Sequence, residues 1–101
     1  MCIRDSYVLR EREARAPVAE VLGGRGDPRL RLWTDQPGLQ VYDGIHVKPW
    51  APGPVELAPF AGLCLEAQNF PDAVNRPEFP DPMYGPERMY RQATSIEIAP
   101  V

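Results

Sequence analysis

Apolar and polar positions alternate with a period of two along several stretches of this chain, which predicts short strands rather than helices. Over Arg29 to Thr34 the alternation puts Leu30, Leu32 and Thr34 on one face and Arg31 and Trp33 on the other. Val18 to Leu22 precedes it across Gly23-Gly24-Arg25-Gly26-Asp27-Pro28, which has the glycines and the Asp-Pro of a hairpin connection. The pattern therefore predicts a hairpin over residues 18–34. Leu39 to Tyr42 alternates again, with Gln40 and Tyr42 opposite Leu39 and Val41. Within 62–70, Leu63, Leu65 and Ala67 share one face, and Cys64, Glu66 and Gln68 share the other. Thr94, Ile96 and Ile98 mark a last strand within 90–99, and Tyr7-Val8-Leu9 reads as a short strand running into a charged turn.

Proline sharpens this all-β reading. The chain has 13 prolines in 101 residues, against a usual frequency of about 5%. Each removes a backbone donor and fixes φ, which argues against a mainly helical protein. Nine of them fall between Pro49 and Pro86, predicting ordered loops around the single 62–70 strand. Asp35-Gln36-Pro37-Gly38 is a turn signature, with Pro presetting one central φ and Gly tolerating a positive φ next. At 11.3 kDa the chain is one small domain or a piece of a larger one, and area scaling predicts burial of about two thirds of its extended-chain surface.

Charge narrows the function classes. Eleven basic and fourteen acidic residues give a net charge of −3, so no large positive field attracts nucleic acid or an anionic membrane. Residues 32–101 carry nine acids against four basic residues, a setting suited to chemistry on a neutral substrate. No apolar run approaches the roughly 20 residues of a membrane span. Two cysteines, Cys2 and Cys64, are too few for a disulfide scaffold, and the expected compartment is a reducing cytoplasm.

Glu66 stands out because it lies inside the most apolar strand. A partly buried carboxylate can act as a general acid or base, above all when a neighbouring amide orients it; the alternative is a strand with one wet face and Glu66 an ordinary exposed residue. Gln40, Gln68, Asn69 and Asn75 carry amides that donate and accept, as sugar hydroxyls require. Trp33, Trp50, Tyr42, Phe70 and Tyr84 could add a stacking surface, or else serve in packing. His46 is the sole histidine, so a His-rich metal site within this chain is excluded, and a loop role suits it better than a catalytic one. Asp72, Glu78, Asp81 and Glu87 lack EF-hand spacing and read as solvated or turn-capping groups. The glycines at 23, 24 and 26 lack a nucleotide-loop spacing, the Arg10, Arg12 and Arg15 run alternates with acids as a solvated face does, and Cys64 reads as a small buried hydrophobe.

Two long motifs, Thr34-Asp-Gln-Pro-Gly-Leu-Gln-Val-Tyr-Asp-Gly44 and Gly62-Leu-Cys-Leu-Glu-Ala-Gln-Asn-Phe-Pro-Asp-Ala-Val-Asn-Arg-Pro-Glu-Phe-Pro80, with Tyr90 and Thr94, resemble the C-terminal third of the aldose 1-epimerase (galactose mutarotase) family. The resemblance runs from about Tyr7 to the end. It implies a large antiparallel β-sandwich, the family's supersandwich, to which this chain supplies the final strands and loops. It also implies interconversion of the α and β anomers of free aldohexoses such as galactose and glucose, with Glu66 as general base and Gln40 as a substrate contact. Gln68 and Tyr42 are candidate additional sugar contacts. No metal or organic cofactor is required by that chemistry, and the partners implied are the monosaccharide and the remainder of the parent domain upstream.

The sequence also departs from the family pattern. Family members are roughly three times this length, and the histidines that supply the general acid lie upstream of the part represented here; His46 matches neither. Asp43-Gly44-Ile45 replaces the common Thr-Gly-Asn, and Ala67 replaces Thr in Glu-Thr-Gln. Met1 to Ser6 fits the pattern poorly and resembles translated adapter sequence, so residues 1–6 are expected to be a non-native or disordered leader and 7–101 the C-terminal portion of the domain. The alternative reading is a non-catalytic carbohydrate-binding β module.

Overall fold

The structure, a computed structural model, describes residues 4–11, 13, 15–48 and 57–101. Cys2, Arg12, Trp50 and the first prolines of the Pro-rich stretch lie outside the described residues. Six strands form in chain order: β1 (Arg4–Val8), β2 (Ala19–Leu22), β3 (Arg29–Thr34), β4 (Gly38–Tyr42), β5 (Cys64–Gln68) and β6 (Thr94–Ala99). The only helical element among the described residues is a 3₁₀ turn at Ala73–Asn75. Two antiparallel sheets result, one ordered β1-β4-β5 and the other β2-β3-β6. The molecule is an all-β, two-sheet assembly, as the alternation predicts.

The β2–β3 hairpin closes through the expected turn. Asp27 accepts from the Gly24 N–H at 2.6 Å, and its own N–H donates to the Gly24 carbonyl at 3.1 Å. Side chains of β3 then sort by sign. Arg31 faces Glu20 on β2 and Glu97 on β6, and Arg29 lies 3.9 Å from each of the same carboxylates. The opposite face carries Val21, Leu30, Leu32, Ile96 and Ile98 in register.

Residues 35–37 carry the chain from β3 in one sheet to β4 in the other, so this turn joins sheets rather than neighbouring strands. Gly38 does not supply a positive φ there, contrary to the expectation from the turn signature. It opens β4, and a Cβ at its position would lie 2.9 Å from the Phe70 ring, so close packing is what requires glycine. The turn is clasped to the segment before β6. Asp35 donates its N–H to the Ala93 carbonyl, and its carboxylate accepts from the Ala93 N–H at 3.1 Å and from Gln36 Nε2 at 2.9 Å. Gln36 is buried at 5% exposure, and its Nε2 also reaches the Arg91 carbonyl at 3.5 Å. These donors hold the Asp35 carboxyl below its ordinary value of 3.8, the Gln36 amide contributing most and the Ala93 N–H next.

The core is thin. Leu32, Leu39 and Ala73 are the buried apolar side chains among the described residues, and full burial of Leu32 contributes about 2 kcal/mol. Leu39 and Val41 of one sheet and Val18 and Ala19 beside the other line an apolar groove of about 470 Å³. Ile96 and Ile98 are 60% and 67% exposed on a face whose pattern is that of an interior. The exposed surface totals 8299 Å², where a compact monomer of this mass has about 5,700 Å². The radius of gyration is 16.4 Å, against about 13 Å for a compact 100-residue domain. Burial is thus about half of the extended-chain surface, not the two thirds that length alone predicts. The reason is that each sheet has an apolar face that the other covers only in part.

Two expectations follow. The 101-residue chain is expected to self-associate through its apolar faces and strand edges, so sedimentation velocity should show species above the monomer that grow with concentration. A single monomeric boundary with a sharp thermal transition would contradict this. Because the folded pKa of Asp35 is depressed, its stabilisation is present above the unfolded value and is lost as pH falls through the folded value. Thermal melts between about pH 6 and pH 2 should therefore show a smaller loss of stability for Asp35→Asn than for the parent chain.

Candidate functional site

β4 lies between β1 and β5, and its register decides which side chains meet. Gln40 pairs with Glu66 on one side and with Ser6 on the other. Tyr42 pairs with Cys64, and Gly38 with Gln68. Because alternate residues share a face, Gln40, Tyr42, Cys64, Glu66 and Gln68 all project from the same side of the sheet. Directly opposed side chains in such a ladder have Cβ atoms about 5 Å apart, which makes Gln40 and Glu66 cross-strand neighbours on that face. The structure brings together all four candidate site residues, Glu66, Gln40, Gln68 and Tyr42, on one face.

The amides in this row are oriented. Gln68 Nε2 donates to Gln40 Oε1 at 2.8 Å. That bond occupies the Gln40 acceptor and leaves the Gln40 NH₂ as a donor, while Gln68 keeps its Oε1 as an acceptor. Glu66 is half-buried, with two acceptor oxygens on the same face. The row therefore presents donor, acceptor and carboxylate side by side, a set complementary to neighbouring hydroxyls on a small polyol.

At the far end of the row, the Tyr42 hydroxyl accepts the His46 N–H at 2.9 Å and pins the loop after β4. That loop turns at Gly44, whose φ is +76° and whose Cβ position lies 2.7 Å from the Gly62 carbonyl; only glycine fits both demands. Asp43 accepts from the Ile45 N–H at 3.1 Å and closes the same turn. His46 is exposed, in keeping with its reading as a loop residue.

Other sequence candidates disperse. Trp33 lies in the other sheet and donates its Nε1 to the Arg15 carbonyl at 3.0 Å. Phe70 packs against Phe79 at 5.1 Å, and Tyr84 against Tyr90 at 4.9 Å. Trp33, Phe70 and Tyr84 thus take the packing role that was the alternative to a stacking surface, while Tyr42 stays in the Gln40 row and Trp50 lies outside the described residues. Asn75 donates to Asp72 within the 3₁₀ turn at 2.6 Å, and Asn69 donates to the Tyr84 hydroxyl at 3.1 Å, so neither amide joins the Gln40 row. Asp72 and Glu78 pair with Arg76, and Asp81 with Arg88, as solvated loop groups do. Cys64 is a free and exposed thiol rather than a buried hydrophobe, since it begins an edge strand. Among the described residues no three His, Cys, Asp or Glu side chains converge as a metal site. A groove of about 580 Å³ is lined by Trp33, Asp35, Glu11 and Glu13, without Gln40 or Glu66.

Three features were invisible to strand patterning. Ser6 enters the row through β1, whose pairing begins at Arg4, inside the segment expected as a leader. Gln36 is buried within a turn, and Gln92 reaches β5 from outside it. Only the buried position of Gln36 had a sequence signal, the adjacent turn motif.

Two antiparallel sheets, one carrying a row of amides and a carboxylate on a single face, define a β-sandwich class of protein. A sequence model described as aldose 1-epimerase matches residues 4–97, and the chain belongs to that family. It is similar to the galactose mutarotases of Mus musculus and Homo sapiens, each 35% identical over 100 residues, and of Rattus norvegicus, 37% identical over 100 residues. Each of these alignments covers 97% of this chain and 28% of the relative, so the chain spans between a quarter and a third of their length. No solved structure matches the chain. No helix among the described residues is long and apolar enough to cross a membrane.

Proposed function

We propose that this chain is the C-terminal portion of an aldose 1-epimerase that interconverts the α and β anomers of free aldohexoses, galactose and glucose among them. The observation that carries this reading is the Gln40–Glu66 cross-strand pair with its Gln68 hydrogen bond, in a chain whose relatives are named galactose mutarotase. Residues 7–101 are assigned to the domain, and β1 extends its pairing back to Arg4. The exposed thiol of Cys64 suits a reducing cytoplasm as the place of action.

In this reading Glu66 takes the proton from the C1 hydroxyl of the sugar. The C1–O5 bond breaks as the carbonyl forms, and O5 receives a proton from an acid supplied upstream of these residues. Rotation about C1–C2 turns the other face of the carbonyl to O5. The acid then takes back the O5 proton as the C1–O5 bond re-forms, and Glu66 returns its proton to the new C1 hydroxyl. Gln40 donates to a sugar oxygen, while Gln68 and Tyr42 supply further contacts. Acid and base held in one site replace two encounters in solution, which is where such geometry gains rate.

Two measurements test the reading. In the full reading frame that carries this sequence, Glu66→Gln is expected to lower kcat for mutarotation by roughly 10²- to 10⁴-fold while sugar binding persists. An unchanged kcat in the polarimeter would remove Glu66 from the base role. The 101-residue chain, lacking the acid, is expected to leave the rate of glucose mutarotation near that of buffer. Saturable sugar binding by it without any effect of Glu66→Gln in the full frame would favour the carbohydrate-binding module instead.

A further inference from the structure

Gln92 lies outside the Gln40–Glu66 row, yet its side chain reaches the strand that carries Glu66. Its Nε2 donates to the Ala67 carbonyl at 3.0 Å and to Thr94 Oγ1 at 3.2 Å. Ala67 sits between Glu66 and Gln68 on β5, an edge strand of its sheet. No neighbouring strand among the described residues lies beyond that edge, and the Gln92 amide takes the place of a strand partner there. Thr94 in turn shares a 3.0 Å hydrogen bond with Thr34 on β3. One amide therefore ties the backbone at the candidate site to the opposite sheet.

That amide is itself held in one orientation. The Tyr90 hydroxyl donates to Gln92 Oε1 at 2.5 Å, which leaves the NH₂ turned to Ala67 and Thr94. Tyr90 meets Tyr84 edge-on, with centroids 4.9 Å apart and planes at 82°. The Arg88 guanidinium lies 4.8 Å from the Tyr84 ring centroid and donates to the Asp81 carboxylate and to the Asp81 and Met83 carbonyls. Asn69, just after Gln68, donates to the Tyr84 hydroxyl. The 81–92 segment thus holds β5 at Ala67 and the residue just after it at Asn69, on either side of Gln68.

We propose that Gln92 is a positioning residue for the candidate site, holding the Ala67 peptide so that Glu66 and Gln68 stay in register with Gln40. An edge strand with free carbonyls drifts or slips, and a slip of one residue sends every side chain to the other face. A base works only within hydrogen-bond reach of its proton, so small displacements of β5 act directly on the rate. The kinetic side of this proposal rests on the reading of Glu66 as base; the geometric side does not.

Gln92→Glu tests it in the full reading frame: the variant keeps an acceptor for Tyr90, and in place of the donor to Ala67 and Thr94 it sets a charged carboxylate oxygen that repels the Ala67 carbonyl. The expected result is a kcat for α-galactose mutarotation lower by about tenfold, a KM changed by less than about twofold, and shifted side-chain amide resonances of Gln40 and Gln68 in proton–nitrogen spectra. Resonances that stay in place would overturn the proposal, whatever happens to the rate. So would shifted resonances with an unchanged kcat in an enzyme that Glu66→Gln inactivates. If Glu66→Gln is itself active, the base reading fails separately and the resonances alone decide the role of Gln92. If Gln92→Glu does not fold, Tyr90→Phe, which removes only the orienting hydroxyl, is read by the same measurements and the same criteria.

Discussion

The antiparallel register of β4 against β5 is the constraint on which the candidate site depends. Gln40 and Glu66 are 26 positions apart in sequence and become direct neighbours only because Leu39 pairs with Ala67 and Val41 with Leu65 on the apolar side. A shift of one residue would exchange the two faces, so the apolar contacts specify the polar row as firmly as any bond within it. The Gln68–Gln40 hydrogen bond then adds direction, since it commits one amide to donating and the other to accepting.

The second sheet holds this arrangement from a distance. Asp35 and Gln36 clasp the crossing between sheets to residues 91–93, and Thr34 and Thr94 join β3 to β6 beside them. The Arg29, Arg31, Glu20 and Glu97 ladder faces outward and is partly exposed, so its contribution is modest and screened by salt. Most of the driving force must come from apolar burial, and here burial is incomplete. Ile96 and Ile98 have the pattern of an interior and the exposure of a surface, which agrees with a chain that spans 28% of its relatives.

The row sets a donor, an acceptor and a carboxylate on one face, with Tyr42 at one end. The register of β4 against β5 supplies a physical reason why residues as far apart in sequence as Gln40 and Glu66 become neighbours. The Pro-rich segment between β5 and β6 has more than a connecting role. Its prolines limit the conformations of the loop, and its tyrosines, Arg88 and Gln92 fasten that loop to the strand edge that would otherwise be bare.

Strand identity and facing were legible in the sequence because the period of two is local: Leu30 with Leu32, Gln40 with Tyr42 and Glu66 with Gln68 need no partner to declare their sides. The hairpin turn was legible for the same reason, as were the solvated carboxylates of the loops. Pairing between sheets was not. That Asp35-Gln36-Pro37 switches sheets, that Gly38 is required by Phe70 rather than by a turn, and that Cys64 is exposed all depend on which segments approach one another. So do the dispersal of the aromatics and the reach of Gln92 to Ala67. Sequence pattern by itself determined the faces of the strands and the residues able to carry the chemistry, through the fixed geometry of an extended backbone. The tertiary structure alone decided which of those residues meet, because contacts across tens of positions are set by packing and register rather than by any local preference.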